Sequence, residues 1–316
     1  MKKKRKDFIH NFSPAFLLIL CLATVLSGLT ACSGSDASKD AGNESQESAD
    51  TDADQKKKDK QIKKDKAEIL HFVDVYQNPY QVEINPEVKR HDYKDDSFVH
   101  NGHLLTYEGD DNYTSRLGVD VSEHQGYVDW QTLKDNGFSF AFIRLGYRGY
   151  GQEGRICLDK EFHRNIQNAQ AAGFDVGVYF FAQAVNEEEA REEADFVLQN
   201  LQGYTLQLPV VYDPESILDD EARTDNVSGE QFTKNTEVFC SAVAEAGYDP
   251  MIYANMLWEA FELDLEKLSE YPLWYADYEP APQTPYHFRF WQYTNVGQVP
   301  GITGNADLNI EMIPVE

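Results

Sequence analysis

Residues 208–215 read LPVVYDPE, a short apolar run that ends in two carboxylates, Asp213 and Glu215. A run of this length between turn signals reads as a buried strand. Side chains two apart on a strand point the same way, so Asp213 and Glu215 would share a face from which Pro214 turns away. Two carboxylates held close cannot both ionise easily, and one of them can stay protonated near neutral pH. Such a pair can cleave a glycosidic bond, one acid protonating the leaving oxygen with an anion beside it. Alone the triplet carries little weight, because Asp and Glu make up 54 of 316 residues and a D-x-E spacing recurs by chance.

Other acids end comparable segments: Asp120 in GVDVSEHQG, Asp277 in PLWYADY and Asp307 in GNADLN. In a β/α barrel the C-terminal strand ends converge on one mouth, where catalytic groups sit. Acids distant in sequence would meet there, and their repulsion with partial burial raises one pKa. Tyr179, Phe181, Tyr253, Trp274 and Trp291 fall in the same segments. Core packing accounts for about half of such rings. Beside carboxylates, though, aromatic faces also suit the C–H faces and hydroxyls of a sugar. These five and Asp277 are the candidate substrate-binding residues. His124 reads as a structural hydrogen-bonding group. The eight histidines form no ligand cluster, Cys157 and Cys240 lack metal-site spacing, and no phosphate loop or GxSxG is present. Neither metal nor cofactor is expected. A disulfide between Cys157 and Cys240 is left open by the sequence.

The elements that must carry these residues alternate. Strand candidates are 117–121, 138–147, 175–183, 208–215, 251–256, 272–278 and 288–294, with helical stretches between most of them. Asp129 can cap a helix that Gly137 ends, and residues 159–172 stop at Gly173. Asn186 with Glu189, and Ser228 with Gln231, stand in capping-box register. Alternation over about 200 residues indicates a parallel α/β architecture. The later strands lie closer together, so an irregular, incompletely wound, TIM-like β/α barrel fits residues 116–316. Residues 67–115 form a small β-rich region, too short to bury much alone, that packs on the larger domain or serves as a stalk.

The chain opens with MKKKRK, followed by an apolar stretch from Phe12 to Leu29 that closes on Leu29-Thr30-Ala31-Cys32. A basic start, a short apolar core and small residues are the pattern of a secretory signal. The Cys makes residues 1–31 resemble a bacterial lipoprotein signal, with Cys32 lipidated. Residues 32–66 are charged and polar with almost nothing apolar, so they read as a disordered linker. The net charge of −26 argues against nucleic acid as a partner. The expected location is the extracellular face of the cell membrane, tethered beside the wall, which holds a domain at high local concentration.

The ordered set GVDVSEHQG, VDW, FAFIRLGY, GVYFF, the D-P-E strand end, WYADY, FWQYT and GNADLN resembles glycoside hydrolase family 25, the N-acetylmuramidase lysozymes. The resemblance spans about residues 117–313. It implies an irregular β/α barrel that cleaves the β-1,4 bond between N-acetylmuramic acid and N-acetylglucosamine with retention, acting on peptidoglycan strands; the sequence leaves the oligomeric state open, with a monomer expected. It further implies Glu215 as general acid, Asp213 and Asp120 as partner carboxylates and Asp307 as a further active-site acid. Pro214 departs from the family's usual apolar residue. Direct attack by an Asp and attack by the substrate's own N-acetyl group both remain open. The alternatives are a non-catalytic wall-binding lipoprotein and another paired-acid glycosidase such as a chitinase.

Overall fold

The computed structural model describes residues 67–218 and 220–315. The expected signal, the expected lipidation site Cys32 and the expected linker lie outside the described residues. Among those described, no helix is long and apolar enough to cross a membrane.

The chain begins with two hairpins, β1 (Ile69–Val73) with β2 (Pro79–Glu83) and β3 (Phe98–Asn101) with β4 (Leu104–Tyr107). The barrel follows as β5 (Tyr113–Val121), β6 (Phe138–Arg148), the short β7 (Ile156–Leu158), β8 (Asp175–Ala182) and β9 (Val210–Pro214). It continues through β10 (Pro250–Asn255), β11 (Leu273–Ala276), β12 (Phe290–Gly297) and β13 (Ala306–Pro314). Seven strands run parallel from β5 through β12, with β7 only a hairpin arm on β6. β13 lies antiparallel between β12 and β5 and closes the ring. Sequence patterning finds the seven and misses this eighth strand.

Helices clad only the first half of the barrel. They are α1 (Trp130–Asp135), α2 (Phe162–Ala171), α3 (Glu187–Asn200) and α4 (Gly229–Glu245). Asp129, Asn186 and Ser228 cap α1, α3 and α4, each side chain accepting from the backbone N–H three residues on. The reciprocal half of the capping box forms at neither Asn186 nor Ser228. Glu189 instead takes the Val185 N–H and Arg223, and Gln231 turns to Asn235. After β10 there is only a five-residue π-turn, Trp258–Glu262, and no helix joins β11, β12 and β13. The outer faces of these strands still need cover, since Tyr275, Phe288 and Trp291 are wholly buried.

Residues 67–115 supply that cover. Phe98 meets the Trp291 ring edge-on at 5.1 Å and Tyr93 meets Phe288 at 4.9 Å. The backbones interlock as His91 N–H donates to the Pro285 carbonyl and His287 N–H to that of Lys89. Gln283 bonds both backbone groups of Val73. The segment and barrel fall in one compact unit, so the packed arrangement, not a stalk, is what the structure shows.

Inside the barrel, strand alternation stacks large rings. Phe140, Phe142, Trp274, Phe290 and Met251 fill it, and two glycines make room. A Cβ on Gly118 would lie 2.3 Å from the Phe140 ring, and one on Gly177 would lie 2.5 Å from that of Phe142. Below the rings, Glu311 accepts from Arg116 at 2.5 Å and from Arg289 at 2.7 Å. The two guanidinium groups sit over Phe140 and Phe290. The bottom is thereby closed with paired charge, and the other end is left for chemistry.

Candidate active site

Asp120 ends β5 with its Cα directly opposite that of Asp307 on β13, and Gln292 on β12 faces Asn309 in the same way. Asp213 lies at the end of β9 opposite Phe181 on β8. Glu215 sits one residue past β9. Residues in register share a face, so the inward side chains of four strands converge on the upper mouth. Asp120 and Asp213 are almost fully buried, and Glu215 and Asp307 are half-buried.

Asp120 is the best-solvated by protein. Its Oδ2 accepts from Asn309 Nδ2 at 2.8 Å and from Gln292 Nε2 at 2.9 Å. Both amides are themselves oriented. Trp274 Nε1 donates to Asn309 Oδ1 at 2.8 Å, while the Tyr253 and Tyr278 hydroxyls donate to Gln292 Oε1 at 3.0 and 2.9 Å. With each amide oxygen occupied by a donor, the NH₂ groups can only face Asp120, the device that favours a buried anion. Burial pushes Asp120 up to about 6, and these two hydrogen bonds oppose the rise.

The other three carboxylates have less help. Burial and the charge of Asp120 carry Glu215 up to about 7, with the neighbouring Tyr253 hydroxyl pulling the other way. Burial, then Asp120 and Glu215, raise Asp307 to about 9. Asp213 is held well above the carboxylate range by burial and by Glu215 and Asp120, against a weaker pull from Arg144. Its buried Oδ1 has no hydrogen-bond partner, which leaves it a group that favours its proton and can still accept or donate one bond. The four carboxylates thus share protons at neutral pH, and Asp120 gives its own up first.

The candidate aromatic residues divide. Tyr253 lies between Gln292 and Glu215, and Tyr179 stands within the field of Asp120, Asp213 and Asp307. Phe181 is half-buried at the rim beside Asp213. Trp274 is wholly buried beneath the cluster, so it is a floor and an amide orienter with no face open to a sugar. Asp277 and Trp291 are not brought to the site. Alternation turns Asp277 outward, where its carboxylate accepts from the Tyr275 hydroxyl at 2.6 Å and the Gln283 N–H at 3.1 Å. Trp291 lies in the outer layer against Phe98, donating Nε1–H to the Asp277 carbonyl.

Sequence reasoning missed Gln292, Asn309, Arg144 and Gln183. Arg144 lies inward on β6, anchored by Asp159 at 2.8 Å. Gln183 is buried, donates Nε2–H to the Glu215 carbonyl at 2.7 Å and accepts from Thr224, so it fixes the backbone from which Glu215 projects. A period-2 count from Asp307 reaches Asn309, and one from Phe290 reaches Gln292. His124 forms part of a capped turn with Ser122 and makes no contact with the cluster. Cys157 and Cys240 are free thiols, the latter buried. Among the described residues, no cluster of His, Cys, Asp or Glu is arranged for a metal.

Comparison with known proteins places this geometry. Residues 119–302 match the profile of glycosyl hydrolases family 25. The uncharacterized protein YegX of Escherichia coli K12 is 31% identical over 202 residues, covering 61% of this chain and 68% of that protein. Lysozyme M1 of Streptomyces globisporus is 29% identical over 201 residues, covering 61% and 66%. Among solved structures, a family 25 glycosyl hydrolase from Bacillus anthracis superposes with a TM-score of 0.53 at 26% identity, over 67% of this chain and 94% of that one. The match spans the barrel strands that bear Asp120, Asp213 and Glu215, and the chain belongs to glycosyl hydrolase family 25, as a glycoside hydrolase.

Proposed function

We propose that this chain is a muramidase that cleaves the β-1,4 bond between N-acetylmuramic acid and N-acetylglucosamine in peptidoglycan, with retention. The observation that carries the reading is the graded set of carboxylates at one barrel mouth. Glu215, raised to about 7 and half-buried, holds a proton that it can deliver to the leaving oxygen near neutral pH. Asp120, bonded to two oriented amides, supplies the anion that steadies positive charge developing on the sugar.

Asp213 favours its proton and has a free buried oxygen. That suits it to hydrogen-bond the substrate's acetamido group better than to attack as a carboxylate. Attack by the acetamido oxygen on the sugar carbon, followed by water on the opposite bond face, gives net retention. Glu215 first donates its proton to the departing oxygen, then takes one from the water. Asp307, also in the field of Glu215, helps hold that proton in the cluster.

Mass spectrometry of digested peptidoglycan tests the bond assignment. New reducing ends should fall on N-acetylmuramic acid, and reducing ends on N-acetylglucosamine would refute it. The N-terminal residues support the same setting. A basic start, an apolar stretch and Leu29-Thr30-Ala31-Cys32 suit export and lipidation at Cys32, with 32–66 as a tether to the wall. Globomycin-sensitive processing and labelling with a fatty-acid probe, abolished by Cys32→Ala, would establish the anchor.

A further inference from the structure

We propose that the β3–β4 turn and the rim of the barrel form an additional saccharide subsite beyond the sugars that flank the scissile bond. This rests on the muramidase reading above. A cavity of about 290 Å³ lies between His100, Gly102 and His103 of the turn and Tyr278, Glu279 and Thr294 of the barrel. The turn belongs to residues 67–115, outside the stretch 119–302 that matches the family.

The turn is latched in place. His100 Nε2 bonds the Pro280 carbonyl at 2.8 Å, and the Tyr293 hydroxyl donates to the His103 carbonyl at 3.1 Å. In the first contact Nε2–H must donate, since a carbonyl can only accept. One residue, Tyr278, belongs to both the groove and the hydrogen-bond network of the active site. The Tyr278 hydroxyl is tied to Gln292 Oε1, and Asp120, Glu215 and Asp307 all act on it. Yet 36% of that residue's surface remains open, and it lines the groove. Thr294, past the irregularity in β12 that sets it opposite Leu308, lines the groove as well.

The lining chemistry selects the occupant. A partly open phenol ring, two imidazoles and a carboxylate offer a flat apolar face with donors and acceptors of both kinds around it. That combination matches a pyranose, with its C–H face and ring of hydroxyls. Glu279 and the acidic balance of the chain disfavour an anionic occupant.

The test uses peptide-free glycan oligomers of graded length, from tetrasaccharide to octasaccharide, with wild-type protein and His100→Ala/His103→Ala. Wild-type kcat/KM should step up about tenfold at one length in the series, the worth of one stacked and hydrogen-bonded sugar. The double variant should lose that step, so that its long-to-short ratio falls toward one. His71→Ala, on an exposed position of β1 outside the groove, should keep the wild-type ratio. A ratio unchanged in the double variant overturns the proposal. So does a step that appears only when stem peptides are present, which would make the groove a peptide site. Should the double variant fail to fold, Glu215→Gln with the same oligomers decides by NMR. The His100 and His103 ring signals should move with the octasaccharide and stay fixed with the disaccharide, and signals fixed with both refute the subsite. Wild-type protein that cleaves no oligomer of any length contradicts the muramidase reading, while the NMR titration still decides whether a sugar occupies the groove.

Discussion

Glu215→Gln should abolish lysis and at the same time make the protein more stable, by an amount that grows with pH. A carboxyl raised from 4.5 to about 7 on folding resists ionisation in the native state only. Below pH 4.5 it is protonated in both states and costs nothing. Above 7 it is ionised in both, and the fold carries the whole penalty. Each pKa unit is worth about 1.4 kcal/mol, so the limiting penalty is about 3 kcal/mol. It is about 1.4 kcal/mol at pH 5.5 and about 3.3 kcal/mol at pH 8, a difference of about 2 kcal/mol. Because the side chain is half-buried and its neighbours can take up protons in its place, about 1 kcal/mol is the lower expectation. Gln keeps the shape and does not titrate. Urea unfolding of both proteins at pH 5.5 and 8 reads the difference as a shift in midpoint at unchanged slope. Muropeptide release should fall to near zero. An identical stability gap at both pH values would mean that Glu215 titrates as an exposed acid and would remove the basis for calling it the proton donor. Substantial residual lysis would refute the role directly.

Asn309→Leu removes one of the two donors to Asp120 and leaves Trp274 Nε1 without an acceptor. The acid limb of the kcat/KM pH profile should move up by about one unit, with a stability loss of about 1–3 kcal/mol on chemical denaturation. Gln183→Leu frees the Glu215 carbonyl and Thr224, and kcat should drop about tenfold or more with KM little changed. Gly118→Ala drives a methyl into the Phe140 ring and should cost about 1–3 kcal/mol. Phe140→Leu in the same chain should recover part of it. Trp291→Ala, in the outer layer, should cost about 3–5 kcal/mol and leave kcat/KM per folded molecule unchanged, where a substrate-contacting Trp would lower it.

The alternating apolar runs carried most of the barrel into view, because a buried parallel strand needs a continuous apolar stretch whatever its neighbours are. β13 escaped because its inward positions are Asp307, Asn309 and Glu311. A strand whose inner face serves the mouth and the bottom plug loses the very residues by which strands are recognised. The outward Asp277 misled for a related reason. Trp274 and Asp277 differ by an odd number of positions along one strand direction, so they cannot face the same side. Composition put both near the acids, and only parity separates them. Residues 67–115 carry short strand signals, but their role depends on what β10–β12 lack. The missing helices leave Phe288 and Trp291 to be covered, and covering them requires contacts across about 200 residues of chain that no local pattern encodes.

The differing supports of the four carboxylates form a coherent device. A cluster in which all were equally desolvated would hold its protons in any of several arrangements, and its donor would be undefined. Here two amides favour ionised Asp120, and that charge in turn raises Glu215, Asp307 and Asp213. One anion, stabilised by Gln292 and Asn309, therefore sets the protonation of the rest. The amides gain their orientation from Trp274 and Tyr253, which sit on strands packed against the ring core, and from Tyr278 just past β11. The inward rings and the glycines that admit them thereby do more than fill the barrel. By holding Trp274 rigid they fix which face of Asn309 meets Asp120, and a change low in the barrel should register as a pH shift at its mouth.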